Sequence, residues 1–205
     1  MLKIKHFIEQ SWLLIVSSFI FGLLIAVTNA AWSPRVEQNK IDKINHLMDS
    51  LLPQAKQFDK AAELKVLSAK GKELTTKVYK ALSQQGKCVG WSFNAEGPGF
   101  ADKIELIIAV DGAFRKFAGF AVLASNETPG FGSRIKEDFF ASQFKNAPAG
   151  KVKLVKTGDA EKIDDEIVAI TGATVSSEAV VKIFNTYVDN VKAQLQKKGL
   201  LNKGK

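Results

Sequence analysis

The chain has 205 residues, 46% of them hydrophobic, which allows one domain of ordinary size plus attachments. Its single cysteine excludes an intrachain disulfide and a cysteine-ligated cluster, and His6 and His46 lie too far apart in sequence to suggest a metal site or a catalytic dyad, so redox chemistry has to come from an organic cofactor. The net charge of +8 sits on scattered lysines and a C-terminal cluster (Lys197, Lys198, Lys203, Lys205); without a nucleic-acid motif it reads as a solvated tail and a face toward anionic membrane lipid, with no nucleic-acid partner.

Between Gln10 and Pro34 there is no charged side chain. A helix of this length crosses the roughly 30 Å of bilayer hydrocarbon. Trp12 and Trp32 mark its two ends, as interface aromatics do. A signal peptide is the competing reading, with Lys3 and Lys5 as its basic start and Ala30 and Ala31 near a cut. The block is longer than a signal core and has no Ala-x-Ala site, which favours an uncleaved anchor. The expected division is 1–34 for an N-terminal tip and anchor, 35–72 for a connector and 73–205 for a folded domain. Within the connector, Ile41, Ile44, Leu47, Met48 and Leu51 share one face of an amphipathic helix stopped by Pro53. Residues 54–72 are polar and give no clear element.

Residues 74–82 and 88–93 read as a hairpin around Gln84-Gln85-Gly86-Lys87. Gly97-Pro98-Gly99 then breaks the chain. Ile104-Glu105-Leu106-Ile107-Ile108 is a β-rich run, Asp111-Gly112 a strong hairpin turn, and residues 114–123 the returning strand. A short helix is expected over 135–144, ended by Ala147-Pro148-Ala149-Gly150. Short strands follow at 153–155 and 166–170. Val180, Phe184, Val188, Val191 and Leu195 then recur at helical spacing. Strands in hairpins with helices around them predict an α+β fold, with an antiparallel sheet, flanking helices and one preceding transmembrane helix. There is no internal repeat and no Rossmann or P-loop glycine pattern.

The most informative stretch is Thr171-Gly172-Ala173-Thr174-Val175-Ser176-Ser177, set where a strand passes into the last helix. Unpaired N–H groups and a positive dipole end make a helix start an anion site. Gly172 and Ala173 keep side chains out of the way. On spacing alone, an ordinary helix start is the favoured use of these hydroxyls. Ser176 and Ser177 suit either use.

This stretch resembles the flavin-attachment motif of the FMN-binding domain family. Members include the G subunit of the Rnf electron-transport complex and the C subunit of the sodium-translocating NADH:quinone oxidoreductase. A second stretch, Glu127-Thr128-Pro129-Gly130-Phe131-Gly132, is similar to the family's Glu-Thr-Pro-Gly-Leu-Gly loop, with Phe for Leu. The resemblance covers the chain from about residue 74 onward. It implies FMN joined by a phosphoester to Thr174 and attached there by a separate flavin transferase. Thr171, Gly172, Ala173, Ser176 and Ser177 would surround the attachment, and Glu127, Thr128, Gly130, Phe131 and Gly132 would form a second wall. The family pattern carries Asp three residues before the first hydroxyl residue; here Val168 stands there. The resemblance further implies an electron-relaying subunit, partnered by integral and peripheral subunits of one complex. That subunit would be single-pass in the cell's inner membrane, with its flavin domain on the extracytoplasmic, periplasmic side. A membrane segment followed by a helix suits the Rnf subunit better than a free flavoprotein, and the quinone reductase subunit is the alternative within the family, disfavoured because it is usually longer. A cofactor-free anchored assembly module is the alternative from another class.

Overall fold

A computed structural model describes residues 2–67, 71 and 73–201, with residues 2–10 given by their backbone alone. The expectations placed on the side chains of Lys3, Lys5 and His6, and on Lys203 and Lys205, lie outside the described residues. The chain forms two units, Met1–Lys43 and Ile44–Lys205.

The first unit is most of one helix, α1 (Leu2–Leu51). From Trp12 to Val27 its large apolar side chains are exposed on every side. Such a stretch is suited to hydrocarbon and not to water, and it is long and apolar enough to cross a membrane. The anchor and the amphipathic stretch, read as separate segments, are one continuous helix with Pro34 inside it. Proline removes one helical hydrogen bond, and the helix-favouring residues on both sides carry the element through. It ends two residues before Pro53, as expected.

The second unit is built on five antiparallel strands in sequence order: β1 (Gln57–Leu67), β2 (Glu73–Leu82), β3 (Cys88–Pro98), β4 (Lys103–Asp111) and β5 (Phe117–Ser125). Both expected hairpins are present. Strand β1 was not foreseen, and lies in the stretch expected to be connector. It is an edge strand in which only Ala62, Leu64 and Val66 are buried, so its polar outer residues hide the signal.

Strand β4 is the opposite case. Ile104, Leu106, Ile107, Ile108, Ala109 and Val110 are all buried, because both faces of the sheet are covered there. One face carries the main core, shared with α3 (Thr174–Lys197) through Val180, Phe184, Tyr187, Val188, Val191 and Leu195. The other face meets the last turns of α1 through Ile44 and Met48, packed with Ile107 and Leu123. Phe184 sits in a ring cluster, 4.4 Å from Phe144, 5.1 Å from Phe117 and 5.5 Å from Phe120 between centroids. Phe184→Ala should cost about 3–5 kcal/mol, seen as a lower urea midpoint with the slope unchanged.

The helix expected over 135–144 is replaced by three short pieces: a 3-10 turn (Gly132–Lys136), α2 (Asp138–Ala141) and a second 3-10 turn (Ser142–Phe144). Glu137 is extended, with φ −77° and ψ 148°, and interrupts the run. Ile135, Phe140 and Phe144 are nonetheless all buried. Strands β6 (Lys153–Val155) and β7 (Glu166–Val168) pair in parallel as a separate small sheet. A buried amide closes β7: Val168 N–H donates to Gln143 Oε1 at 2.7 Å, and Gln143 Nε2 donates back to the Val168 carbonyl at 3.3 Å. Asn185 on α3 grips the Val152 backbone in the same two-bond way, both at 2.9 Å. Gln143 takes the place of a strand neighbour for β7, which leads to α3, and Asn185 fixes the residue before β6.

Candidate functional site

After β7 the chain turns at Thr171-Gly172 and starts α3 at Thr174. Gly172 has φ +80°, a left-handed conformation that side chains resist. Ser177 is fully buried and pins strand exit to helix start. Its Oγ accepts the Ile170 N–H at 3.1 Å and donates to the Ala173 carbonyl at 3.0 Å. The first helical bond runs from Ser177 N–H to Ala173. No side chain caps the helix, so the N–H groups of Thr174, Val175 and Ser176 have no partner from helix geometry or a capping residue. Ser177→Ala should strand the Ile170 N–H in the core. The expected cost is about 1–3 kcal/mol, measured by denaturant titration.

The 127–132 loop is a β-turn. Phe131 N–H donates to the Thr128 carbonyl at 3.2 Å, and Gly130 takes φ +75°, the third-position conformation of a type II turn. The Ser133 hydroxyl accepts the Gly130 N–H at 3.0 Å and steadies it. Glu127 lies behind this turn, 5% exposed, where its carboxylate accepts a hydrogen bond from the Ser176 hydroxyl.

The two loops border one cavity of about 430 Å³, within the usual span of small-molecule sites. Thr128, Phe131 and Gly132 line it from one side, and Gly172, Ala173, Thr174 and Ser176 from the other. Thr171 and Gly130 are exposed and do not line it; Ser177 and Glu127 are buried behind it. Phe100 and Val175 complete the lining and were missed in the sequence. Phe100 follows Gly97-Pro98-Gly99, which reads as a break in the chain and nothing more. Phe100, Phe131 and Val175 are 68%, 59% and 52% exposed, an apolar rim left open at this point. A larger cavity of about 640 Å³, bordered by Leu52, Lys116, Asp138 and Lys145, includes neither motif.

The arrangement fits a flavin mononucleotide. Open N–H groups at a helix start suit a phosphate, the half-buried Thr174 stands at that same end, and the aromatic rim suits a flat ring. No cluster of His, Cys, Asp and Glu able to hold a metal occurs among the described residues. Cys88 is half-buried, and burial pushes its thiol upward, away from the reactive thiolate.

The FMN-binding domain family matches residues 99–189, a span that holds every lining residue of this cavity. The chain is 33% identical over 180 residues to the G subunit of the proton-translocating ferredoxin:NAD(+) oxidoreductase complex of Clostridium ljungdahlii, covering 87% of this chain and 88% of that one. The chain belongs to the family of G subunits of ion-translocating oxidoreductase complexes. The G subunit of the ion-translocating oxidoreductase complex of Methanosarcina acetivorans is 29% identical over 181 residues, 88% of this chain and 92% of that one. Among solved structures, Shewanella oneidensis NqrC matches with a TM-score of 0.54 at 22% identity, over 69% of this chain and 73% of that one. At that identity the likeness concerns the fold, and it agrees with the expected α+β architecture. Membership among the G subunits also favours the first of the two proteins the sequence resembles over the quinone reductase component.

Proposed function

We propose that this subunit carries one FMN, joined through its phosphate to the Thr174 hydroxyl, and relays electrons between neighbouring redox subunits of an Rnf-type complex. The observation that supports it is the meeting of two separate motifs around one cavity at an uncapped helix start. In this reading the complex couples electron flow between ferredoxin and NAD to ion movement. The subunit is single-pass, with its folded unit on the extracytoplasmic side. Its partners are integral and peripheral subunits, membrane lipid, and the flavin transferase that installs the cofactor.

Each residue has a distinct task. Thr174 supplies the ester oxygen. The N–H groups of Thr174, Val175 and Ser176 hold phosphate oxygens in the positive field of a 24-residue helix. Phe100, Phe131 and Val175 shield the ring from water, and Gly172 leaves the approach clear. When bound, the flavin supplies the electron-accepting chemistry, and the protein supplies attachment and orientation. A covalent link makes sense outside the cytoplasm, where a dissociated cofactor is lost to a large volume.

One observation favours a second reading. Val168 stands where the family pattern has an acid, and its backbone is bound by Gln143. A chain that the transferase does not accept would be a cofactor-free anchored assembly module. Intact mass of the protein from its native membrane decides between them. A mass above the sequence value by one FMN less water, with in-gel fluorescence after denaturation, is the expected result. The bare sequence mass, together with no flavin absorbance in the native protein, would establish the module.

A further inference from the structure

We infer that Glu127 is the positioning residue of this cavity: its buried carboxylate fastens the loop carrying Phe100 to the first turn of α3. This rests on the flavin reading for its consequence and on geometry for its substance. Oε1 accepts the Phe100 N–H at 2.9 Å and the Ala101 N–H at 3.1 Å. Oε2 accepts the Ser176 hydroxyl. One carboxylate thus joins the turn after β3, the turn after β5 and the helix start, three segments otherwise far apart in sequence.

The surroundings are shaped around that group. A Cβ on Gly99 would strike Glu127 Oε1 and come within 2.6 Å of the Asp102 carbonyl oxygen. A Cβ on Gly132 would lie 2.5 Å from Ser176 Oγ and 2.7 Å from Glu127 Oε2. Gly132 is therefore required by the carboxylate behind the wall and by the Ser176 hydroxyl bonded to it. Taking a carboxylate out of water is costly. The three donors, none of them cationic, offset that cost, since hydrogen bonds to charged groups are the strong ones. What the junction holds is the pair of exposed rings, Phe100 and Phe131, that border the cavity on one side of Thr174. Without it Phe100 is free to leave, while Thr174 keeps its hydroxyl and its place on α3.

The test uses the full-length chain produced together with a flavin transferase. In Glu127→Ala the adduct should remain by intact mass. Amide exchange at Phe100 and Ala101 should accelerate at least tenfold. Iodide quenching of flavin fluorescence should rise several-fold, and the midpoint potential should move. Glu127→Gln should restore all three, because its carbonyl oxygen still accepts both N–H groups and its NH2 donates to the Ser176 oxygen. Unchanged exchange and quenching in the Ala variant overturn the proposal. So does a Gln variant as perturbed as Ala, which would assign the effect to charge and not to bracing. If the Ala variant fails to fold, Ser176→Ala takes its place, losing one of the three bonds; its quenching should rise, and a wild-type value overturns the proposal. Failure of the flavin reading is distinguishable, because the wild-type chain then has no adduct. Amide exchange then decides alone whether Glu127 holds the loop.

Discussion

Thr174→Val should abolish the flavin adduct and leave the fold intact. The two side chains have nearly the same shape, and the substitution removes one hydroxyl from a half-buried position at the start of α3. The sequence alone gives that hydroxyl a capping role worth about 1 kcal/mol. In the structure the helix start has no side-chain cap, so that loss does not arise. The expected change in stability is within about 0.5 kcal/mol, while the ester oxygen is gone altogether. Intact mass should fall to the sequence value and in-gel fluorescence should disappear. Circular dichroism and the urea midpoint should match the wild type. An adduct that survives in Thr174→Val assigns the attachment elsewhere, with the exposed Thr171 the next candidate. Ser177→Ala is the matched control: it should keep the adduct and lose stability, because Ser177 serves the Ile170 N–H and not the cavity.

Much of the sheet and the last helix was legible because burial left a plain pattern. Strand β4 is apolar nearly throughout and is covered on both faces. In α3 the five residues picked out by spacing are all buried. Strand β1 was not legible, since an edge strand buried on alternate residues of one face shows mainly its charged side. The helix expected over 135–144 is interrupted for a related reason. Ile135, Phe140 and Phe144 reach one core from separate turns, and spacing alone does not distinguish that from a single helix. The anchor and the amphipathic stretch, distinguished by composition, share one helix that runs through Pro34.

The site was legible as two motifs and not as one place. Nothing in residues 127–132 announces contact with residues some forty positions later; their meeting depends on β5, the short helical turns and the Gln143 clamp on β7. Phe100 and Val175 escaped notice because an exposed apolar residue in a loop or first helical turn has no periodicity to betray it. Ser177 belongs to the same motif as Thr174, yet it points into the core. A string of hydroxyl residues says where a helix begins, and only the backbone around it says which hydroxyl is outward.

An impermeant thiol reagent should label the folded unit in intact cells, with the chain still attached to the membrane. About 25 residues without charge, at 1.5 Å each, exceed the hydrocarbon thickness, and the exposed apolar side chains from Trp12 to Val27 gain only if that medium surrounds them. The segment is therefore expected to be an anchor, and N-terminal sequencing of the mature protein should find it still present. A mature start near Ala31 or Trp32 would instead mark a cleaved signal. Sidedness needs a separate measurement, since Lys3 and Lys5 lie before the segment and Arg35, Lys40 and Lys43 after it. Cys88→Ser removes the one native thiol. Glu161→Cys then places a thiol at an exposed turn whose backbone N–H is held by Asp159. Labelling should be near complete in intact cells and should not rise after lysis. Labelling confined to lysed cells would put the unit on the cytoplasmic side. A transferase acting outside the cytoplasm would then have no access to Thr174, and the adduct would require a different enzyme.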